Sequence, residues 1–159
     1  PGMLSEGWGG MLKMVAEATG VEIEEFREVY ERHFAQTSFE CTMMPVQKGT
    51  CSAVRFEVQG IVNGRPLIVA EHVNRLAETE AEHWPRAPDG RPGVHRVIVT
   101  GNPSVQLECF VAGEDGDHNT GGVQATALRV TNAIPWVVEQ QPGLISTLDL
   151  PYTPSRNLT

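Results

Sequence analysis

The middle of the chain has a hydrophobic period of two, and this constrains the fold more than any other feature. From Ser52 to Ile61 apolar and polar residues alternate, with Val54, Phe56 and Val58 on one side and Arg55, Glu57 and Gln59 on the other. That alternation belongs to a strand with one buried face. Asn63-Gly64 follows, the pair best suited to a two-residue hairpin turn, because both turn positions take positive φ. Pro66 to Leu76 reads as the returning strand. With Val62 opposite Arg65, Arg55 is expected opposite His72 and Glu57 opposite Ala70. One face then carries Val54, Phe56, Val58, Leu67, Val69 and Val73; the other carries Arg55, Glu57, Gln59, His72 and Asn74. Such a sheet is covered on one side only.

The flanking segments complete an α+β reading. Met3 to Ala18 has an apolar stripe at helical spacing (Leu4, Trp8, Met11, Leu12, Val15), and Gly20 ends it. A second helix is predicted from Glu22 to Phe34, with Ile23, Phe26, Val29, Tyr30 and Phe34 as its stripe. Phe39 to Met44 reads as a strand ending at Pro45, and residues 77–92 as a long connection. Val94 to Thr100 and Ser104 to Val111 form a second hairpin. Val123 to Ile134 reads as a helix that buries Val123, Ala127, Val130 and Ile134, and that Pro135 must kink or end. The tail from Gln140 is expected to be irregular. The expectation is one domain over residues 1–159: an antiparallel sheet of about five strands, covered on one face by two N-terminal helices and one long C-terminal helix.

Composition removes several function classes. The formal net charge is -8, so the chain lacks the basic footprint of a nucleic-acid binder. No apolar run approaches the ~18 residues of a membrane-spanning helix, and no signal peptide is evident. The three cysteines (Cys41, Cys51, Cys109) are odd in number and widely spaced, which fits buried thiols in a reducing, cytoplasmic setting. Pro1 and Gly2 are candidates for a cloning scar. Asn102-Pro-Ser cannot be glycosylated, whereas Asn157-Leu-Thr is formally an acceptor.

Gly113-Glu-Asp-Gly-Asp-His-Asn-Thr-Gly-Gly122 is the most informative stretch for chemistry. His118 sits there in a glycine-rich loop at a helix N-terminus, a place that suits anionic groups, and Asp117 could orient its imidazole. Four glycines in ten residues allow close approach of backbone to a ligand. The competing reading is that Asp117, Asn119 and Thr120 cap the helix while His118 faces water. Arg55, Glu57 and His72 form a second polar cluster, which lines a substrate site or meets solvent or a partner. Glu71 is the odd member of the apolar face; a buried carboxylate there would have a raised pKa, and an exposed one would not. Trp8, Trp84 and Trp136 read as core or interface. The chain has no Cys/His spacing for zinc, no Gly-x-Ser-x-Gly elbow and no phosphate-binding Gly-x-x-x-x-Gly-Lys motif. Gly7-Trp-Gly-Gly10 follows no strand and is not a dinucleotide fingerprint.

The segment Gly116-Asp-His-Asn-Thr-Gly-Gly-Val-Gln-Ala-Thr-Ala-Leu-Arg-Val-Thr-Asn-Ala-Ile-Pro135, with Gln141-Pro-Gly-Leu-Ile and Leu148-Asp-Leu-Pro151, resembles the C-terminal part of the dihydrodipicolinate-reductase-like NAD(P)-dependent oxidoreductases. The nearest group contains 2,4-diaminopentanoate dehydrogenase and the native amine dehydrogenases. The stretch from Gly49 to Gly60, Asn63-Gly-Arg-Pro66 and the opening helix pair are similar to that group too, so the resemblance covers nearly the whole chain. It implies an α+β substrate and dimerisation domain, about the C-terminal half of an enzyme whose cofactor-binding Rossmann domain is missing from this chain by truncation, proteolysis or a short reading frame. The Lys-His-His-type motif of true dihydrodipicolinate reductases is not found.

The resemblance further implies hydride transfer between a nicotinamide and an imine carbon, with a small amine or ketone as substrate. It sets His118, Asn119 and Thr120 near the cleft, donating hydrogen bonds to substrate or cofactor, and Thr126 and Arg129 toward the cofactor domain. NAD(P) is expected in the complete enzyme, and no cofactor binding or turnover in this chain alone. A homodimer through the sheet is expected, with no metal. Two rival readings are a helix-grip carrier of small apolar ligands, with its cavity between sheet and last helix, and a purely structural dimerisation domain.

Overall fold

The computed structural model describes residues 2–151. Pro1, one of the two scar candidates, and the Asn157-Leu-Thr acceptor lie outside the described residues. The chain divides into two compact units, Pro1–Pro85 and Arg86–Thr159. The class is α+β, but the strands fall into a three-stranded sheet and two two-stranded ladders rather than one five-stranded sheet.

In the first unit, α1 (Met3–Thr19) buries Gly9, Leu12 and Ala16 and ends at Gly20, which has φ 71°. Its N-cap is Gly2, which has no side chain to offer the first turn. Glu28 takes that role from the neighbouring strand, accepting from Gly2 N at 3.1 Å, Ser5 N at 2.7 Å and Ser5 Oγ at 2.8 Å. These bonds hold the Glu28 carboxyl below the usual carboxylate range.

The predicted second helix is instead a strand, β1 (Glu25–Phe34). Phe26, Tyr30 and Phe34 are four apart, which puts them on one side of a helix or on one side of a strand. The ladder to the central strand decides between the two: it pairs every residue from Glu25 to His33, a tertiary gain that outweighs local preference.

Two short strands, β2 (Phe39–Glu40) and β3 (Pro45–Val46), close a small hairpin where one strand to Met44 was expected. β4 (Cys51–Val62) and β5 (Arg65–Arg75) form the predicted hairpin, giving the antiparallel order β1-β4-β5. Asn63 and Gly64 both have positive φ, and the Glu24 carboxylate clamps the turn by accepting from both of their N–H groups.

A bulge between Gly60 and Ile61 moves the register by one beyond the turn. Arg55 therefore pairs with Val73, Phe56 with His72, and Glu57 with Glu71. A one-residue slip exchanges the faces. His72 joins Phe56 and Val58 under α1, while Val69 and Val73 move to the polar side.

The core of this unit is Leu12, Val58 and Ala70, with Leu4, Trp8, Ile23, Phe26 and Ile68 packed against it. A second cluster on the other side of the sheet joins Ala53, Ala81 and Trp84 with Val73. Residues 77–85 are therefore a cover rather than a bare connection. Arg75 pins them through the carbonyls of Glu80 at 3.1 Å, Trp84 at 3.0 Å and Pro85 at 2.8 Å.

The second unit holds the hairpin of β6 (His95–Val99) and β7 (Val105–Cys109) and the helix α2 (His118–Val138). α2 starts five residues before the predicted Val123. Pro135 lies inside it and does not end it, and the helix runs three residues further to Val138. The stripe predicted to be buried is exposed: Val123 by 71%, Val130 by 66% and Ile134 by 54%. Among the described residues of this unit only Gly121 is buried. Among the described residues, the segment around Ile145 to Leu150 meets the C-terminal part of the stripe and leaves most of it exposed.

Candidate functional site

The loop before α2 is tied to itself by backbone bonds. Gly113 N donates to Asp117 O at 2.9 Å, Gly116 N to Gly113 O at 2.9 Å, and Gly121 N to Asp117 O at 3.1 Å. Asp117 is the N-cap, its carboxylate accepting from Thr120 N at 2.6 Å. The Thr120 backbone bond is the main reason the Asp117 carboxyl lies below its ordinary range, and the nearby His118 adds to the effect.

The glycines serve mainly the packing of the chain on itself. A Cβ on Gly121 would lie 2.4 to 2.5 Å from the backbone of Ala112, and one on Gly113 would lie 2.7 Å from Asp115 Oδ1 and 2.8 Å from Thr120 Cγ2. Gly116, with φ 80°, is the turn residue. Gly122 alone of the four has open space at its Cβ position and no positive φ.

His118 is half-buried at the first position of α2. Its Nδ1 lies 3.1 Å from Val111 O, so a backbone carbonyl, not Asp117, orients the ring. The His95 ring stands 5.9 Å away, tilted by 36°. Asn119 is exposed and Thr120 half-buried in the same turn. Thr126 and Arg129 follow along the exposed helix, and the Thr126 hydroxyl donates to Gly122 O at 2.9 Å. Arg129 lines an apolar surface cavity of about 430 Å³ with Val130, Ile134, Val137, Ile145 and Leu150. No strand residue lines it, so it is not the cavity between sheet and helix that a helix-grip carrier requires.

The second predicted cluster does not assemble as expected. Arg55 does bind Glu57, but the bulge carries His72 to the opposite face and brings Glu71 in its place, while β1 supplies Glu31 directly opposite Arg55. Burial works against the guanidinium charge, yet the bonds from Glu71 and Glu31 prevail and hold Arg55 above its ordinary value. Glu71 is an exposed partner of that guanidinium and not a buried acid. His72 packs against Phe56 and Trp8, with ring centroids at 5.2 and 5.6 Å, and burial pushes its imidazole below the usual value.

The sequence reading missed a buried polar group under residues 77–85. Ser52 Oγ donates to Glu80 Oε2, and His33 Nε2 lies 3.5 Å from the same oxygen. Period-two reading of β4 marks Ser52 only as a strand end, so no local signal pointed there. All three cysteines are free, as read, but Cys51 and Cys109 are exposed and Cys41 half-buried, against the expectation of buried thiols. Among the described residues no three His, Cys, Asp or Glu side chains come together as a metal site, and no helix is long and apolar enough to cross a membrane.

Residues 6–156 match the family of the 2,4-diaminopentanoate dehydrogenase C-terminal domain. The chain belongs to that family. It is 44% identical over 150 residues to an amine dehydrogenase from Streptomyces virginiae, an alignment that covers 93% of this chain and 41% of that protein. The chain thus spans about two-fifths of this relative's length. Its fold is similar to that of the amine dehydrogenase from Mycobacterium smegmatis, with a TM-score of 0.61 at 16% identity, over 91% of this chain and 38% of the other. At that identity the likeness shows the fold alone.

Proposed function

We propose that this chain is the substrate-side, C-terminal part of an NAD(P)-dependent oxidoreductase that interconverts a small amine with a ketone and ammonia by hydride transfer. The observation that carries this reading is the family match over residues 6–156, nearly the whole chain. The exposed apolar stripe of α2 agrees with it, since an apolar face of that kind is normally covered by another body.

The residues described here do not fit a nicotinamide dinucleotide. Gly7, Gly9 and Gly10 lie inside α1 rather than between a strand and a helix, and Gly9 is buried against the Phe26 ring. This chain on its own is proposed to be inactive. His118, Asn119 and Thr120 stand at the substrate cleft of the complete enzyme, and Thr126 and Arg129 stand toward its cofactor-binding part.

The outer face of the β1-β4-β5 sheet is proposed as a homodimer interface, and the three free thiols support a cytoplasmic setting. Titration with NADH and NADPH followed by nucleotide fluorescence tests the first part: no saturable binding is expected, and tight binding by this chain contradicts it. Native mass spectrometry tests the second: a dimer is expected, and a strict monomer at high concentration counts against it.

A further inference from the structure

The contacts around His118 settle which of its nitrogens carries a proton. A carbonyl oxygen only accepts, so the 3.1 Å contact between Nδ1 and Val111 O requires a proton on Nδ1. In the neutral ring Nε2 is then bare, with one lone pair in the ring plane.

Gly93 fixes the other coordinate of the ring. A Cβ built on Gly93 would lie 2.2 Å from Nε2, 2.6 Å from Cδ2 and 2.7 Å from Cε1 of His118. Three short and nearly equal distances put that position above the face of the ring, not in line with the Nε2 lone pair. The glycine backbone thus roofs the imidazole without standing in its in-plane acceptor direction, and any side chain at residue 93 would push the ring away. His95 is the other imidazole beside it. Among the described residues no N–H or O–H group donates to Nε2, and the half-buried ring is held by three separate segments: residue 93, residue 111 and the start of α2.

We propose that Gly93 is a positioning residue for His118, and that His118 presents Nε2 as a fixed hydrogen-bond acceptor for a ligand N–H group of the primary amine class. The ligand class rests on the proposed function; the tautomer and the role of Gly93 rest on the geometry alone. The direction is the reverse of the one the family resemblance implied, because neutral His118 accepts at this atom and does not donate.

Two-bond proton–nitrogen correlation spectra of the histidine side chains in the full chain, at a pH where imidazoles are neutral, test it. The expected result for His118 is a protonated Nδ1, a bare Nε2, and a nuclear Overhauser contact between its ring and the Gly93 α-protons. G93A is expected to lose the single-tautomer pattern, while G122A, which has open space at that position, keeps it. Isopropylammonium is expected to move the Nε2 resonance and 1,2-dimethoxyethane, an acceptor only, to leave it in place. An Nε2–H tautomer overturns the whole proposal. A missing contact to Gly93, or a G93A spectrum like that of the unaltered chain, overturns the positioning role; the contact decides this even if G93A does not fold. No response to the amine, or an equal response to the ether, overturns the ligand class. The tautomer and Gly93 readouts do not depend on the oxidoreductase reading, and only the amine arm tests the ligand class that rests on it.

Discussion

Replacing Gly121 or Gly122 by alanine makes nearly the same chemical change at adjacent positions of α2, and the two are predicted to have opposite signs. Alanine is favoured over glycine in a helix by about 1 kcal/mol, so propensity alone stabilises both variants. At Gly122 nothing lies within 4 Å of the new Cβ, and that gain stands. At Gly121 the new carbon would meet the N, Cα and C atoms of Ala112 at 2.4 to 2.5 Å. Those atoms are backbone and cannot rotate aside, so residues 111–113 or the first turn of α2 must shift. Overpacking of that kind costs roughly 1–3 kcal/mol, which exceeds the helical gain. The second unit has little burial to absorb it, because Gly121 is its only buried residue among those described. Urea unfolding of the two variants, with amide exchange at Gly121, is the assay. G122A is expected to be as stable as the unaltered chain or more so; G121A is expected to be less stable and to exchange faster. Equal stability of the two would refute the packing argument.

Three further outcomes follow from the first unit. Leu12→Ala empties the centre of the cluster formed with Val58 and Ala70 and should cost about 2–5 kcal/mol in chemical unfolding; a loss under 1 kcal/mol would mean that α1 is not seated as described. Burial depresses the His72 imidazole below 6.5 in the folded chain, so the unfolded chain takes up this proton first as the pH falls. That contribution to stability is complete above pH 6.5 and is lost below it, and His72→Phe should flatten the slope of stability between pH 7 and 5. Glu28→Gln weakens the cap on α1, and faster amide exchange at Ser5 is the expected sign; unchanged exchange would remove Glu28 from that role.

Much of the fold was legible where one period dominates. The β4–β5 hairpin, its Asn63-Gly64 turn, the β6–β7 hairpin and α1 all follow from alternation, turn chemistry and capping. Reading failed where two periods coincide, as at Phe26, Tyr30 and Phe34, because only pairing with β4 distinguishes strand from helix there. It failed again at the bulge that leaves Leu67 unpaired: Gly60 and Pro66 beside it are residue types that mark bulges, but they do not say which strand gains the residue, and the slip reverses the faces and separates His72 from Arg55. The stripe of α2 was read correctly as apolar and wrongly as buried, because periodicity reports what a face needs and not how fully the fold covers it. In the candidate site, the loop and His118 were visible from glycine content and capping residues. Gly93, His95 and the Val111 carbonyl lie on other segments and were not, since only the folded backbone brings them to the imidazole.

The most direct measurement puts this chain into the Streptomyces virginiae amine dehydrogenase in place of that protein's own matching segment, and follows NAD(P)H consumption with a small ketone and ammonia. The account predicts turnover by the folded chimera and none by this chain alone. Turnover by the isolated chain, or a folded chimera that binds the nucleotide yet consumes none with any small ketone, would contradict it.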